Sequence, residues 1–226
     1  FILHDWMFGQ GLHGRFVACD SHGQTLIAQQ FSANLMSNGL SPDSRYAICQ
    51  TVNAPGSDDS CRYMLFDLEA GREIARWEVE TGWAEGYKWD CDAGRVIICL
   101  RDGEQAIYDL AGTMVDREGW RRRRIAAGDL GVIKGVVSSQ ASLDREMRQD
   151  IAAGLRRAAR EGEIWSQARA FRLLGELHET EGEPEKAIKA YDDALRLDPK
   201  VGVARRVEKL RKERMNNANW HFIVTY

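Results

Sequence analysis

The chain of 226 residues is 44% hydrophobic and 29% charged, contains 4 prolines, and has a formal net charge of −3. This composition is typical of a globular protein and argues against a disordered or fibrous chain. No apolar run approaches the roughly 18 to 20 residues that cross a bilayer, so neither a membrane span nor a membrane partner is expected.

The cysteines indicate the redox compartment. Cys19, Cys49, Cys61, Cys91 and Cys99 are odd in number, scattered, and never form a Cys-x-x-Cys pair, so neither a disulfide framework nor a zinc site is indicated. Most are expected to be buried thiols in a reducing, cytoplasmic compartment. Because the sequence starts at Phe1 rather than at Met, we expect that the chain either was trimmed or was cut from a longer protein.

Charge is unevenly distributed along the chain. Residues 1–130 carry 13 basic and 19 acidic side chains, whereas residues 131–226 carry 18 and 15. The basic excess is sharpest in residues 120–160, which begin with Arg121, Arg122, Arg123 and Arg124. Such a run can contact nucleic acid or another polyanion, although most charge runs are solvated surface. The overall acidity disfavours a dedicated nucleic-acid binder.

From about residue 14 to residue 124 the pattern is that of an antiparallel all-β domain. Apolar residues alternate or form short β-branched and aromatic runs, and glycine-containing turns separate these runs at close spacing. The predicted strands are 15–19, 25–31, 46–52, 62–67, 74–78, 96–100, 105–109 and 113–117.

Two segments of this half, 40–74 and 89–115, repeat one order of elements: turn, strand, connector, strand, Asp-Leu-x-x-Gly turn, strand. The Ser41-Pro42-Asp43 start and the aromatic-Asp-Leu-x-x-Gly turn resemble blades of WD-type and related β-propellers. The resemblance implies a partial propeller over residues 1–137, with a partial blade at 14–36.

The number of blades is the difficulty with this interpretation. Closed propellers contain about four to eight blades, and this half has room for roughly two and a half. The blades therefore belong to a longer propeller, stack as an open array, or close a ring with a second copy. An open array leaves an unpaired strand edge, so self-association through the β half is expected.

The pattern becomes helical in the last third of the chain. We interpret residues 125–137 as a last strand and turn, 138–142 as a polar linker, 143–215 as a helical domain, and 216–226 as an apolar, β-like tail. Ser142, at the end of the linker, is expected to cap the first helix. The fold class is thus α+β in two domains. The first helix is predicted from apolar residues that recur every four positions: Leu143, Met147, Ile151 and Leu155.

Residues 168–201 match the 34-residue tetratricopeptide pattern. Gly182 is expected to end a first helix in left-handed geometry and Pro184 to open a second one. The segment therefore resembles a tetratricopeptide repeat, which implies a helical hairpin that binds proteins. The matching positions are Phe171, Leu174, Gly175, Ala187, Tyr191, Ala194 and Pro199.

The tetratricopeptide resemblance also implies a binding face. Peptides usually bind along the first helices, which here would expose Arg169, Arg172, Glu176 and Glu179. The alternative is a lattice of salt bridges within the helix, since Arg172 lies within helical reach of Glu176 and Glu179. The family's clamp for a C-terminal carboxylate has Asn where this chain has Glu176, so that ligand is disfavoured.

The motifs of common enzymes are missing from the sequence. We find no Gly-rich phosphate loop, no His-Glu-x-x-His, no Gly-x-Ser-x-Gly and no clustered metal ligands. We therefore predict no catalytic residues, no cofactor and no metal. Four aspartates are expected to close turns through their side chains: Asp43, Asp67, Asp92 and Asp109.

The leading hypothesis is a non-enzymatic scaffold or adaptor that binds proteins and combines propeller-like blades with a short tetratricopeptide array. One alternative is a sensor or regulatory portion of a larger enzyme or defence-type protein. Another is a partial propeller that binds a carbohydrate or small ligand, in which Trp77, Trp83 and Trp89 form a stacking platform.

Overall fold

The computed structural model describes residues 1–5, 11–138 and 143–223. The chain divides into two compact units, Phe1–Arg117 and Glu118–Tyr226. In the described residues the first unit contains ten strands, and the helices follow them. The predicted α+β class, with antiparallel blade-like sheets followed by a helical array, is confirmed. Within those residues no helix is both long and apolar enough to cross a membrane.

Three antiparallel sheets, of three, four and three strands, follow one another along the first unit. Within each sheet, strands that are neighbours in sequence are also neighbours in space. The first sheet contains β1 (Ile2–Asp5), β2 (Gly14–Cys19) and β3 (Thr25–Phe31). The second contains β4 (Leu35–Leu40), β5 (Tyr46–Thr51), β6 (Arg62–Asp67) and β7 (Arg72–Glu78). The third contains β8 (Ala84–Asp90), β9 (Arg95–Leu100) and β10 (Gln105–Asp109).

The second sheet is buried on both faces, as shown by the unbroken burial of β5 and β6 after their first residues. One face joins a core with the first sheet, in which the Phe16 and Phe66 rings stack with centroids 4.8 Å apart. The other face meets the third sheet, where the Trp77 and Tyr108 rings lie 5.2 Å apart. The sheets therefore stack face to face, as successive blades do.

The first strand of each sheet was not predicted. β1, β4 and β8 lie beside one another, β4 between the other two. Their sequences, ILHD, LMSNGL and AEGYKWD, each contain residues that are depleted in strands, such as Asp, Asn, Gly, Glu or Lys, and lack regular alternation of apolar residues. Seven of the eight predicted strands are confirmed. The sequence pattern thus found the later strands of each sheet and missed the row formed by β1, β4 and β8, which we call the inner strands.

Gln50 links the second sheet to the start of the third. This side chain is fully buried. Its Oε1 atom accepts hydrogen bonds from the Ala84 amide at 3.0 Å and the Ser37 hydroxyl at 3.2 Å, and its Nε2 atom donates to the Gly82 carbonyl at 3.0 Å. The amide group of Gln50 thereby positions the segment that leads into β8.

Aspartates close the turns of the first unit. Asp67 accepts from the Ala70 amide at 3.0 Å, and this hydrogen bond lowers the pKa of the Asp67 carboxyl. Asp109 likewise accepts from the amides of Ala111 and Thr113. In the turn after β8 the amide of Ala93 donates to Asp90 rather than to the predicted Asp92. Cys91, in the same turn, is exposed rather than part of the core.

The prediction that strands continue to residue 137 is wrong. The expected strand 113–117 is reduced to a single bridge between Tyr108 and Met114. Residues 117–138 form helices α1 (Arg117–Ala127) and α2 (Leu130–Ser138). Asp129 accepts from the amides of Gly131 and Val132, which caps α2, and Ile133 packs in the helical core. A short apolar run fits a strand or a buried helix equally well, and the cap decides here.

The other helices of the second unit are α3 (Arg145–Glu161), α4 (Ile164–Thr180), α5 (Pro184–Leu197) and α6 (Ala204–Ile223). The helical hairpin is confirmed, with Gly182 at φ 71° between α4 and α5. Asp144, rather than Ser142, caps α3 by accepting from the Met147 amide at 2.7 Å. Residues 139–142, which hold Ser142 and most of the predicted linker, lie outside the described residues.

The expected β-like tail is also wrong where it is described. Residues 216–223 continue α6 as helix, and only 224–226 of the predicted tail lie outside the described residues. Lysine, arginine and glutamate occupy six of the seven positions from 208 to 214, and such long side chains favour continuation of a helix.

Two glycines offer a matched test of helix packing. A Cβ atom at Gly175 in α4 would overlap the Tyr191 ring of α5, whereas one at Gly135 in α2 meets nothing within 4 Å. We expect Gly175→Ala to destabilise the protein by about 1–3 kcal/mol through overpacking. Gly135→Ala should stabilise it by about 0.5–1 kcal/mol through helix propensity. Urea unfolding measures both, and equal effects of the same sign would contradict the assigned packing.

Candidate functional site

A pocket of about 520 Å³ lies in the second unit, between the α4–α5 turn and α6. We call it the α6 groove. It combines a glycine, a proline, a leucine and four charged side chains. Its lining residues are Glu179, Gly182, Pro184, Arg206, Lys209, Leu210 and Glu213.

The α6 groove follows from how α6 packs. Val203 and Val207 are buried in one core with Tyr191 of α5. Residues three and four positions apart share a helix face, so Leu210 follows Val203 and Val207 along this face and is partly buried at its end. Gly182 and Pro184 form the opposite wall because they connect the two helices of the hairpin. The groove therefore depends on the turn and on α6 together.

Arg206 ties α6 to α4 by charge. Its Nε atom lies 2.7 Å from a Glu179 carboxylate oxygen, its Nη1 atom lies 3.8 Å from Glu176, and its guanidinium lies 5.9 Å from the centre of the Tyr191 ring. The Glu179 carboxylate raises the pKa of the Arg206 guanidinium, and burial raises the pKa of Tyr191. Charge-assisted pairs of this kind are directional, so they fix the rotation of α6 about its own axis.

The four residues predicted to bind a peptide have different surroundings. Arg172 donates to Glu176 at 3.0 Å, the pairing expected of an intrahelical lattice, and also to the carbonyl of Val201 at 3.1 Å. Glu176 and Glu179 both face Arg206. Arg169 lies over the exposed Trp165 ring, 6.0 Å from its centre. Of the four, only Glu179 lines the α6 groove.

The arginine run is distributed around α1. Arg122 bonds Glu146 at 3.2 Å and Glu118 at 3.4 Å, and these carboxylates raise the pKa of its guanidinium. The Arg124 Nε atom donates to Asp129 at 2.8 Å, and its side chain is only 13% exposed. Arg121 and Arg123 have interactions of their own. Consecutive helical residues point about 100° apart, so the run does not form one flat cationic surface.

The tryptophans proposed as a stacking platform are engaged separately. The Trp77 ring packs against Tyr63 and Tyr108, and a Cβ atom at Gly112 would lie 2.5 Å from it. Trp89 stacks with Tyr46 at 6.3 Å between centroids. Trp83 is 47% exposed. Two of the three are thus packing residues at the contact between sheets.

Sequence reasoning missed the contribution of α6 to the site. The apolar positions Val203, Val207 and Leu210 lie on its packed face, but the groove residues beside them were not predicted. A signal was present, because Arg206 lies three positions after Val203 and one before Val207. A cation bordering the packed face of a helix can reach acidic side chains of a neighbouring helix.

No protein-family model matches the chain, and a search of curated proteins finds no match. Among solved structures the chain is similar to the C-terminal WD40 domain of Sif2, with 17% identity and a TM-score of 0.33 over 46% of this chain and 27% of that chain. It is also similar to the β-propeller domain of Myceliophteria thermophila Cps50 (Swd1), with 17% identity and a TM-score of 0.32 over 45% and 31%. The similarity spans less than one third of each of these propellers.

Replacing Arg206 tests the attachment of α6. We expect Arg206→Gln to lower the free energy of unfolding by about 1 kcal/mol, because partly exposed ion pairs contribute modestly and this one is shared by two carboxylates. Arg205→Gln, at the exposed neighbouring position, should change it by less than about 0.5 kcal/mol. Urea unfolding monitored by circular dichroism measures both. Equal effects of the two substitutions would contradict the role of Arg206.

Proposed function

We propose that the protein is a non-enzymatic interaction module, a scaffold or adaptor, whose α6 groove holds an extended segment of a partner protein. The observation that carries this proposal is the composition of the groove. Leu210 provides an apolar contact, while the side chain of Lys209 is 75% exposed. Pockets that bind ligands typically combine an apolar surface with a few polar groups that fix orientation.

The hairpin geometry supports the tetratricopeptide interpretation within this proposal. Gly175 and Ala187 are buried where α4 and α5 approach closely, and α6 covers Val201 and Val203 at the end of the hairpin. In helical repeat proteins a following helix buries the face that a single hairpin leaves open. Binding by Arg169, Arg172, Glu176 and Glu179 stays a prediction, and Glu179 is the member that borders the groove.

The charges of the α6 groove suggest the chemistry of the partner segment. Arg206 is already neutralised by Glu176 and Glu179. Lys209 has a weaker partner, Glu213, at 3.7 Å and on the same exposed helix surface. We therefore infer a segment with an apolar side chain for Leu210 and an acidic side chain for Lys209.

Selection from a randomised peptide library displayed on phage tests this specificity. The wild-type protein should enrich peptides with an acidic residue near an apolar one, because Lys209 attracts the former and Leu210 contacts the latter. Lys209→Glu should shift the enriched residue from acidic to basic. Lys189→Glu, at an exposed α5 position outside the groove, should leave the selected motif unchanged.

Two results would contradict the groove as a binding site. One is the absence of enrichment by the wild-type protein, and the other is an identical motif selected by wild type and by Lys209→Glu. Circular dichroism of each variant should precede selection, so that loss of helix is not read as loss of binding.

We also propose self-association of the β half, through the exposed face of the first sheet. Leu3, Val17 and Ala28 are paired in register across its three strands, on the face opposite the core residues Ala18 and Ile27. Leu3 is 56% exposed. An apolar row across a sheet face favours packing against another sheet.

Sedimentation velocity over a range of concentrations tests self-association. Val17→Lys should reduce the sedimentation coefficient at high concentration to that of a monomer, because it places a charge in the middle of the row. Gln30→Lys is the control, since Gln30 lies on the same face but pairs with Arg15 in a polar row. A wild-type monomer at every concentration would contradict the proposal.

Polyanion binding by Arg121, Arg122, Arg123 and Arg124 stays a prediction, as does cytoplasmic localisation. Involvement of these arginines in ion pairs such as Arg122–Glu146 and Arg124–Asp129 lowers the charge that they offer to a polyanion. The sensor alternative uses the same groove and differs only in the domain to which this region is attached.

A further inference from the structure

Three metal-ligating side chains converge at the α4–α5 turn. The Nδ1 atom of His178 lies 2.9 Å from a carboxylate oxygen of Glu183 and 3.2 Å from one of Glu181. One ligand atom of each of the three residues lies within 4.8 Å of the other two. The side chain of His178 is only 9% exposed, whereas Glu181 and Glu183 are more accessible.

Hydrogen bonding does not satisfy this arrangement fully. An imidazole Nδ1 atom carries at most one hydrogen, so it can donate one well-formed hydrogen bond. Here two carboxylates approach the same nitrogen, with oxygens within 4.8 Å of each other, and like charges this close repel each other unless a cation or proton lies between them. Around this nitrogen there are therefore more acceptors than donors.

The spacing of the ligand atoms matches the coordination shell of a small divalent cation. Zinc binds histidine nitrogen and carboxylate oxygen at about 2.0–2.2 Å, so neighbouring ligands in a tetrahedral site lie about 3.4 Å apart. The two nitrogen–oxygen distances of 2.9 and 3.2 Å are close to this value. A cation could therefore enter with only small movements of the exposed glutamates.

The fold builds the cluster from six consecutive positions. His178 lies in the last turn of α4, and Gly182, at φ 71°, reverses the chain so that Glu183 returns beside it. The C-terminal end of a helix carries partial negative charge, which favours a cation at this place independently of the carboxylates. Lys186 donates to the other oxygen of Glu183 at 2.6 Å, which orients that carboxylate and lowers its pKa.

We propose that His178, Glu181 and Glu183 form a binding site for a divalent transition-metal ion of the zinc class. One nitrogen and two carboxylate oxygens supply three ligands and leave a fourth position for water or a group from a partner. The sequence analysis found no clustered metal ligands and predicted no metal, although His-x-x-Glu-x-Glu brings three possible ligands together within six residues. The site does not depend on peptide binding in the α6 groove.

Calorimetric titration with Zn²⁺ alone tests the site, with Co²⁺ absorption as an independent readout of coordination. The full chain should carry Cys91→Ser, because that exposed thiol could itself bind zinc. We expect one equivalent to bind, a rise in Tm of several degrees with excess Zn²⁺, and weaker binding on acidification, because a ligating imidazole must be neutral.

The variants separate metal binding from folding. Glu181→Gln combined with Glu183→Gln should lower the affinity at least about tenfold and abolish the rise in Tm, while circular dichroism stays unchanged. His178→Gln should do the same and should also lower stability, since this side chain is buried. Glu185→Gln, at an exposed position in the first turn of α5, is the matched control and should bind as wild type.

Two outcomes would overturn the proposal. The first is the absence of saturable Zn²⁺ or Co²⁺ binding to the parent chain, which would leave His178 as an imidazole shared by two carboxylates. The second is equal affinity in the parent chain and in the double glutamine variant, which would place the ion elsewhere.

Discussion

Burial of both faces of the second sheet is the constraint on which the first unit depends. Successive side chains of a strand point to opposite faces, so β5 and β6 must be apolar throughout, apart from polar groups that find partners. Gln50 is such a group, and its hydrogen bonds to Gly82 and Ala84 position the entry to β8. Each flanking sheet packs one face against this sheet. This explains why buried and more exposed residues alternate along β9 but not along β5.

Close helix approach plays the corresponding part in the second unit. Gly154 of α3 leaves room for the backbone at Ile125, and Gly175 of α4 leaves room for Tyr191. The acidic side chains of α4 also reach Arg206 of α6. The face expected from the tetratricopeptide resemblance to bind peptides is therefore partly occupied by α6, and the open surface lies at the α4–α5 turn instead.

The sequence predicted those features that depend on neighbouring residues. The bounds of β3, β6 and β10, the turn closed by Asp67, and the break at Gly182 all follow from local pattern and turn chemistry. Features that depend on distant partners escaped prediction. The inner strands are stabilised by their neighbours rather than by β propensity, and packing of Ile125 and Ile133 with Ile151 stabilises α1 and α2 in addition to the local Asp129 cap.

The difference in charge between the two units was also underestimated, because residues 118–130 were counted with the β half. With the observed boundary, residues 1–117 carry 9 basic and 17 acidic side chains, and the remainder carry 22 and 17.

The segment around Gly182 connects the two proposed sites. Gly182 and Pro184 line the α6 groove, while Glu181 and Glu183, which alternate with them, belong to the proposed metal site. A cation held by Glu181, Glu183 and His178 would restrict the backbone of this turn and thus one wall of the groove. Coupling of this kind is reciprocal: if the ion strengthens binding of a peptide, the peptide must strengthen binding of the ion by the same factor. The hairpin turn, rather than the exposed face of α4, is therefore the part of the second unit where ligand binding and local order are most directly linked.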